Sequence, residues 1–341
     1  MKILVINPGS TTTKIAIFDN DQKILENKFD HNLDNKTNIE HRLVLIQNYL
    51  KENNINSLDV VIGRGGMLPP ITSGTYEVND KMLDDLKNRP LAIHASNLGA
   101  PLAKSIADEF KIKALIADPV TTDEIKEQHK LTGFKEIKRY SAWHCLNQKA
   151  VARQYATDIG QKYEDLNLIV AHLGGGSSFA AHKHGQAVNV INALSGEGAF
   201  TPERSGAIPA QNLIDLCFSG QFTKEQLHQK VAGSGGLFDL LNTKDVYSLR
   251  QNYDNLDQNT KDVLDEMIYA ITRSITSLIP DFEGEKIDQI LITGGLAQWP
   301  LITDKIKKLL QPLSIEISLY PGEKEMEALA LAATRTAKIY D

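Results

Sequence analysis

Cysteine is scarce in this sequence. Only Cys145 and Cys217 occur among the 341 residues, and no CxxC spacing is present. A disulfide framework or a cysteine-ligated zinc site would need more cysteines, or cysteines at closer spacing. We therefore expect a protein of a reducing compartment.

The sequence also lacks an excess of positive charge and long apolar runs. Its formal net charge is -6 at pH 7, so nucleic acid and membrane surfaces are not expected as partners. No apolar stretch approaches the roughly 20 residues of a membrane-spanning helix. The first residues lack the length and cleavage pattern of a signal peptide. These features predict a cytoplasmic protein in which any anion site is built locally.

The order of strands and helices is typical of an α/β chain with two domains. The 341 residues exceed the roughly 100 to 200 of one domain. An apolar run at 3–6 and a β-rich stretch at 14–18 flank a polar turn, which predicts strand, turn and strand. A similar pattern with a glycine turn begins at residue 168. Elsewhere strands alternate with helices, so largely parallel sheets are expected.

Residues 7–14, NPGSTTTK, form the first candidate phosphate loop. Gly9 permits close approach of a ligand, the hydroxyls of residues 10–13 offer donors, and Lys14 supplies charge. The segment is not a Walker A loop, because GxxxxGK[ST] is absent and a strand follows it. A polar turn without a ligand is an equally supported reading of this stretch alone.

A second glycine-rich loop changes that balance. Residues 172–178, HLGGGSS, contain three consecutive glycines, whose entropy cost is tolerable mainly where φ is positive or a ligand approaches closely. A third strand ends in ITGG at 292–295 and precedes a helix. A nucleotide bound in a cleft between two related halves is therefore the leading hypothesis.

Taken together, these motifs resemble those of the acetate and butyrate kinase family. They are NPGSTTTK, the strand ending in RGG, ADPV, HLGGGSS, PERSG and LITGG, and the resemblance covers nearly the whole chain. HLGGG and the ending YPGEKEMEALA are most similar to the butyrate-type members. The resemblance implies an α/β chain with the duplicated actin-like ATPase fold, which is ribonuclease H-like. It implies an N-terminal domain over 1–140 with a returning C-terminal helix at 323–341, and a C-terminal domain over 141–322 that carries the nucleotide and oligomer surfaces.

The reaction implied by the resemblance is reversible, in-line transfer of the γ-phosphoryl group of ATP to a short-chain acid, here butanoate, giving butanoyl phosphate and ADP. An acid with a pKa of about 4 is already ionised near neutral pH and needs no general base. Such transfers depend on alignment and charge neutralisation. The residues that match the family's catalytic positions are Arg204, His144, His172, Asp118 and Arg64.

Roles outside catalysis remain alternatives for the same residues. A surface salt bridge is the alternative for Arg204, and structural roles are the alternative for the two histidines. Arg64 directly precedes two glycines, whereas acetate kinases carry an arginine three residues before His-Gly-Gly. We expect Arg64 to serve the substrate carboxylate.

The resemblance also implies ATP or ADP and Mg²⁺ as cofactors. For magnesium, Asn7, Asp118 and Glu327 are predicted, with Glu325 as a neighbour that could substitute for Glu327. The predicted nucleotide contacts are Asn7, Ser10, Thr12, Lys14, Gly174, Gly175, Gly176, Asp245, Gly294 and Gly295. Acetate-type members carry an arginine two residues after the aspartate, where this sequence has Tyr247.

The acyl pocket is predicted from Gly63, Ile93, Trp143 and Pro202. Gly63 stands where acetate kinases have a valine, so its missing side chain is expected to leave room for extra methylene groups of the acid. Burying each methylene contributes about 0.8 kcal/mol to binding. This comparison favours a four-carbon or branched acid over acetate. Each of the four residues could equally be ordinary core.

Two further hypotheses are kept. One is a sister kinase acting on acetate, propionate or isobutyrate, and the other is a nucleotide-binding sensor of the same fold without turnover. The presence of His144, His172 and Arg204 disfavours the sensor. The family also implies a homo-oligomer, a dimer or higher, with small-molecule substrates and neither nucleic acid nor membrane as partner.

Overall fold

The computed structural model describes residues 1–31 and 38–341. The strands are β1 (Lys2–Pro8), β2 (Thr12–Asp19), β3 (Gln22–Asp30), β4 (Val60–Arg64), β5 (Thr75–Glu77), β6 (Lys113–Ala117), β7 (Asn167–His172), β8 (Ser178–Lys183), β9 (Gln186–Ile191), β10 (Gln289–Gly294) and β11 (Ile317–Pro321). The helices are α1 (Ile39–Glu52), α2 (Asp80–Asn88), α3 (Gly99–Phe110), α4 (Cys145–Asp158), α5 (Ala210–Phe218), α6 (Lys224–Val231), α7 (Leu237–Leu241), α8 (Val246–Gln251), α9 (Gln258–Thr276), α10 (Pro300–Leu310) and α11 (Glu325–Ala333). Short 3₁₀ helices cover Ala95–Leu98, Glu127–Lys130, Tyr163–Asp165, Tyr253–Asn255, Ile279–Phe282, Gly295–Gln298 and Gln311–Leu313.

The chain divides into two compact units. The first comprises Met1–Asp123, Cys145–Asn147 and Lys324–Asp341, and the second comprises Glu124–His144 and Gln148–Glu323. The second unit therefore begins before the domain boundary of 140 predicted from the sequence. That boundary stays a prediction.

The first unit is built on a six-stranded sheet in the order β3-β2-β1-β4-β6-β5. β1, β2 and β3 form an antiparallel meander, and β4 and β6 continue from β1 in parallel. β1 is almost entirely buried, which agrees with its continuous apolar run. This order brings the turn after β1 and the carboxyl ends of β4 and β6 to one edge of the sheet.

Helices α1 and α3 cover one face of this sheet with apolar side chains. Leu102 and Ile106 of α3 and Ile46 of α1 are completely buried in one cluster with strand residues. α3 begins very close to β4, because a Cβ at Gly63 would stand 2.3 Å from the carbonyl oxygen of Gly99. Glycine at both positions lets the helix approach the strand backbone.

The second unit is built on a five-stranded sheet in the order β11-β10-β7-β8-β9. β7, β8 and β9 form an antiparallel meander, while β10 and β11 run parallel to β7. α9 and α10 contribute Ile268, Ile271, Ile302 and Ile306 to the core on one face. α4 covers other strand residues, among which is Leu168.

Each sheet thus starts with a three-stranded meander whose first strand is extended by parallel strands. This repeated topology confirms the expected duplicated α/β fold. None of the described helices is long and apolar enough to cross a membrane.

The C-terminal segment departs from the expectation of one helix over 323–341. α11 ends at Ala333, and the chain then runs beside β5, where the Lys338 N–H donates to the carbonyl of Thr75 at 2.8 Å. Arg335 forms an ion pair with Asp118 at 3.2 Å. Tertiary hydrogen bonds and this ion pair therefore replace the last predicted helical turns.

Candidate functional site

The first predicted phosphate loop is a tight turn in the first unit. The Gly9 N–H donates to the carbonyl of Thr12 at 2.7 Å. Thr13 is completely buried, whereas Ser10 and Lys14 are exposed and Thr12 is half-buried. Ser10, Thr12 and Lys14 are therefore accessible to a nucleotide, whereas Asn7 is buried at 8% exposure. The binding role of all four stays a prediction.

A buried arginine supports this turn. Arg42 of α1 donates from Nη1 to the carbonyl oxygens of Gly9 and Thr12, each at 3.0 Å, and to Thr13 Oγ1 at 2.8 Å. Burial lowers the pKa of its guanidinium. Sequence reasoning missed Arg42 because nothing in a helical stretch marks which charged residue turns inward.

Glu325 rather than Glu327 lies with the predicted binding residues of the first unit. Its carboxylate accepts from Asn7 Nδ2 at 2.8 Å and pairs with Arg64 Nη2 at 3.0 Å. Glu327 instead pairs with Lys23 at 3.2 Å. Two positions apart on a helix, the two acids point in different directions. Glu325 is thus the acid that contacts Asn7 and Arg64, and the choice between Glu325 and Glu327 for magnesium stays a prediction.

Asp118 is buried and fully engaged. It follows β6 with a φ of +40°, a strained value for a residue with a side chain. Its carboxylate accepts from Ser73 Oγ at 2.6 Å, from the Gly74 N–H at 2.9 Å and from Arg335 Nη1 at 3.2 Å. Asp118 thereby holds the C-terminal segment, and a magnesium role for it stays a prediction.

Two residues of the predicted acyl pocket lie in the first unit, and the structure contradicts the volume argument for one of them, Gly63. The space beside Gly63 is filled by the Gly99 backbone, so the missing side chain leaves no room for a longer acid. Ile93 is 89% exposed and is not enclosed within its unit. The volume argument for a four-carbon acid therefore fails at Gly63.

In the second unit, His144 and His172 lie together. Their rings are stacked, with centroids 3.7 Å apart and planes 6° apart. His172 ends β7 and is 1% exposed, and its Nε2 lies 3.3 Å from Glu323 Oε1. Folding thus brings together two histidines that are 28 positions apart in the sequence. Neither histidine taken alone could be assigned a functional rather than a structural role.

The glycine loop of HLGGGSS lies between His172 and Arg204. A Cβ on Gly174 would stand 3.4 Å from His172 Nε2, and a Cβ on Gly176 would stand 3.3 Å from Arg204 Nε. None of the three glycines has positive φ. Positive φ therefore does not explain these three glycines, so close approach of a ligand stays as the predicted reason. Their missing side chains keep the surroundings of His172 and Arg204 open.

Arg204 is held by the segment that precedes it. The Thr201 hydroxyl donates to the Gly175 carbonyl at 2.6 Å, and the Glu203 N–H donates to the same oxygen at 3.0 Å. Arg204 Nε is buried without a hydrogen-bond partner among the described residues. Desolvation lowers the pKa of this guanidinium, while the Glu203 carboxylate, 3.8 Å away, opposes that shift.

A cavity of about 290 Å³ opens beside the glycine loop. Its wall contains Gly295, next to which a Cβ would meet nothing within 4 Å. Gly294 is different, because it has a φ of +89° and its Cβ would stand 2.3 Å from the Leu173 carbonyl oxygen. The lining residues are Gly174, Gly175, Pro202, Glu203, Lys244, Val246, Tyr247, Arg250, Gly295, Leu296, Gln298 and Trp299.

Pro202, Asp245 and Trp143, three predicted site residues, have different surroundings in the second unit. Pro202 lines the cavity together with Gly174 and Gly175, two predicted nucleotide contacts, and its place in the acyl pocket stays a prediction. Asp245 caps α8 by accepting from the Ser248 N–H at 3.0 Å. Trp143 is 1% exposed and packs edge-to-face on His182, which is ordinary core packing.

Sequence reasoning missed Arg250 and Lys244, two cations in the cavity wall. Tyr247 stands where acetate-type members carry arginine, and the structure adds Arg250 to the same wall one helical turn later. The spacing of three residues on α8 is the signal that could have identified it.

Comparisons with known proteins agree with these observations. Residues 125–317 match the Acetokinase family. A "Probable butyrate kinase" of Clostridium botulinum (strain Eklund 17B / Type B) is 44% identical over 99% of both chains. "Butyrate kinase 2" of Clostridium acetobutylicum is 45% identical over 98% of this chain and 96% of the relative.

Solved structures show the same fold at low sequence identity. A propionate kinase from Francisella tularensis superposes with a TM-score of 0.81 at 19% identity, covering 97% of this chain and 98% of the other. The acetate kinase of Porphyromonas gingivalis also gives 0.81, at 16% identity over 98% and 99% of the two chains. The fold and family expected from the motifs are confirmed: this chain belongs to the acetokinase family.

Proposed function

We propose that this protein transfers the γ-phosphoryl group of ATP to a short-chain carboxylate, and that butyrate is its preferred acid. A carboxylate oxygen forms the new bond to phosphorus while the bond from phosphorus to the β,γ-bridging oxygen breaks. ADP leaves with that electron pair, and butanoyl phosphate is the second product. The carboxylate is already ionised at neutral pH, so no side chain needs to remove a proton.

The observation that carries the proposal is the state of Arg204. Its guanidinium is mostly buried, its Nε has no partner in the described part of the chain, and the nearest acidic oxygen is that of Glu203 at 3.8 Å. Among the described residues its Nη1 donates only to the Glu203 carbonyl, at 3.2 Å, so this mostly buried cation keeps donors for an incoming anion, which would offset the cost of burying its charge. A phosphoryl group or a carboxylate supplies that anion, with matching planar geometry.

The neighbouring histidines complete the set of donors. His172 and Arg204 border the glycine loop from its two ends, and His144 stacks on His172. Donors placed where charge develops are the main source of rate enhancement in phosphoryl transfer. We assign His144 and His172 to the oxygens of the transferring group.

The cavity in the second unit fits the nucleotide. Tyr247 and Trp299 supply aromatic surface for a base, and Lys244 and Arg250 supply positive charge. Gly295 leaves open space at the wall. As a kinase, the protein uses ATP as phosphoryl donor, and we place its base and ribose in this cavity.

Magnesium is the proposed metal. Within residues 1–31 and 38–341 no three His, Cys, Asp or Glu side chains gather as a metal cluster. Magnesium typically keeps several waters and needs only one or two carboxylates. Asn7 and Glu325, which are in contact in the first unit, fit that limited demand. When bound with ATP, the ion would neutralise phosphate charge.

The choice of butyrate is supported by the two relatives named as butyrate kinases, since Gly63 no longer supports it. Cytoplasmic location and a homo-oligomer remain part of the proposal. Helix α5 supports self-association, because Ile214 is 54% exposed and Phe218 is 88% exposed.

The test is a substrate profile. Acyl phosphate formed from Mg-ATP is trapped with hydroxylamine for acetate, propionate, butyrate and isobutyrate. The highest kcat/KM for butyrate supports the proposal, and a clear preference for acetate overturns the choice of acid. ATP binding with no acyl phosphate from any of the four acids would instead identify a sensor.

A further inference from the structure

A chain of buried polar side chains extends behind His144. His144 Nδ1 lies 2.8 Å from Ser178 Oγ, which lies 2.9 Å from Gln148 Nε2. Gln148 Oε1 lies 3.2 Å from His182 Nε2, and His182 Nδ1 lies 2.7 Å from the Tyr163 hydroxyl. Ser178, Gln148 and His182 are completely buried. Such a chain has a direction, because every hydrogen bond needs one donor and one acceptor.

One backbone carbonyl fixes that direction. Gln148 Nε2 lies 3.1 Å from the carbonyl oxygen of Ser178, which can only accept. The amide nitrogen must therefore face Ser178. The same nitrogen supplies its second hydrogen to Ser178 Oγ, and the amide oxygen must face His182.

The hydrogen of the Ser178 hydroxyl then has one possible acceptor. Ser178 Oγ accepts from Gln148 Nε2 and from the backbone N–H of His144 at 3.2 Å, which uses both of its lone pairs. Its single hydrogen is available only for His144 Nδ1. Nδ1 is therefore the acceptor of the imidazole, and the ring proton belongs on Nε2.

The hydrogen bonds at the His182 end of this series of side chains donate in the same direction. Burial lowers the pKa of His182 well below its ordinary value, with smaller effects from Lys149 and Arg153, so this ring is neutral. A neutral His182 donates from Nε2 to Gln148 Oε1 and accepts at Nδ1 from Tyr163. Every link agrees with the direction set by the Ser178 carbonyl.

We propose that Gln148 and Ser178 are positioning residues that hold His144 as the Nε2–H tautomer, so that it presents a hydrogen-bond donor to the transferring phosphoryl group. This inference rests on the proposed function for the identity of the acceptor. The tautomer itself follows from the hydrogen-bond chain and is measurable without turnover. Neither Gln148 nor Ser178 needs to touch the substrate.

The direct test is the tautomer of His144 in the full-length protein. Histidine is labelled with ¹⁵N, and ring nitrogens are correlated with ring protons by NMR. The His144 signals are assigned by their loss in His144→Gln. The expected pattern is a protonated Nε2 and a bare Nδ1. A protonated Nδ1, or signals averaged between the two tautomers, overturns the proposal even if the protein is an active kinase.

Two variants test the link to catalysis. In Gln148→Glu, a carboxylate oxygen faces Ser178 Oγ and accepts its hydrogen, so the His144 proton should move to Nδ1. Ser178→Ala removes the hydroxyl, so the His144 ring should populate both tautomers. In both, kcat should fall by roughly 100-fold, the loss typical of one transition-state donor, with KM nearly unchanged.

The matched control is Ser274→Ala, which removes another buried serine hydroxyl of the second unit, bonded to the Ala270 carbonyl at 2.9 Å. It should keep the wild-type kcat and the wild-type ring pattern. Ser178→Thr retains the hydroxyl and should restore the Nε2–H pattern and most of kcat. Wild-type kcat in Ser178→Ala would overturn the positioning role. If a variant fails to fold, the wild-type spectrum still decides the tautomer.

Discussion

The imidazole rings of His144 and His172 lie face to face, 3.7 Å between centroids and 6° from parallel. Two positive charges about 4 Å apart repel by about 4 kcal/mol at an effective dielectric of about 20. Stacking therefore disfavours a state in which both rings are charged. This arrangement is compatible with the proposed role of the two rings as donors to the phosphoryl oxygens, with at most one of the rings charged.

Because the two rings touch, their contributions to turnover should be coupled. His144→Ala and His172→Ala should each lower kcat/KM, and the double variant should lose less than the product of the two single losses. Measuring kcat/KM for the three variants gives the coupling. As a comparison, His144→Ala combined with a change at the exposed His184 should show simple multiplication. Independent effects at His144 and His172 would contradict a shared role.

Removal of Arg204 should abolish most turnover without unfolding the protein. Arg204→Ala should lower kcat by roughly 100-fold or more, because a transition-state donor is lost. Its unfolding temperature should equal or exceed that of the wild type, since burial disfavours the charged guanidinium and its Nε has no partner among the described residues. Thermal unfolding and steady-state kinetics measure the two effects.

The exposed Arg273, which pairs with Glu266, provides the control. Arg273→Ala should retain wild-type turnover. Near-normal turnover in Arg204→Ala would remove that residue from the reaction. Arg204→Lys should recover little activity, because an ammonium group lacks the planar fork of guanidinium.

Glu325 and Glu327 should differ in their effect on the magnesium requirement. Glu325→Gln should raise the Mg²⁺ concentration for half-maximal rate by about tenfold, since its carboxylate lies with Asn7 and Arg64. Glu327→Gln loses only a partly exposed pair with Lys23 and should behave as the wild type. Rates at increasing Mg²⁺ measure this, and the reverse order would restore Glu327 as the metal residue.

Substitutions at Gly294 and Gly295 should have different effects, the first on stability and the second on nucleotide binding. Gly294→Ala should lower the free energy of unfolding by about 2 kcal/mol or more, because φ is positive and the new Cβ would press on the Leu173 carbonyl. Gly295→Val projects into open space and should leave stability nearly unchanged while raising KM for ATP. Denaturant unfolding and ATP kinetics distinguish the two, and an unchanged KM in Gly295→Val would exclude this cavity as the nucleotide site.

The order of motifs was sufficient to predict the duplicated fold and the family. Continuous apolar strands, glycine turns and amphipathic helices are local patterns, so each is readable where it stands in the sequence. The meanders beginning at β1 and β7 agree with that reading. The match of His144, His172 and Arg204 to family motifs also needed no coordinates.

Contacts between distant residues required the tertiary structure. The sequence could not distinguish Glu325 from Glu327, because the direction of each side chain depends on how α11 packs. It suggested space at Gly63, but the Gly99 backbone occupies that space. Gln148 and Ser178 carry no motif of their own, and only folding places them behind His144. Thus the sequence determined the fold and the kinds of functional groups, whereas packing decided which groups meet, which are buried and which hydrogen each one donates.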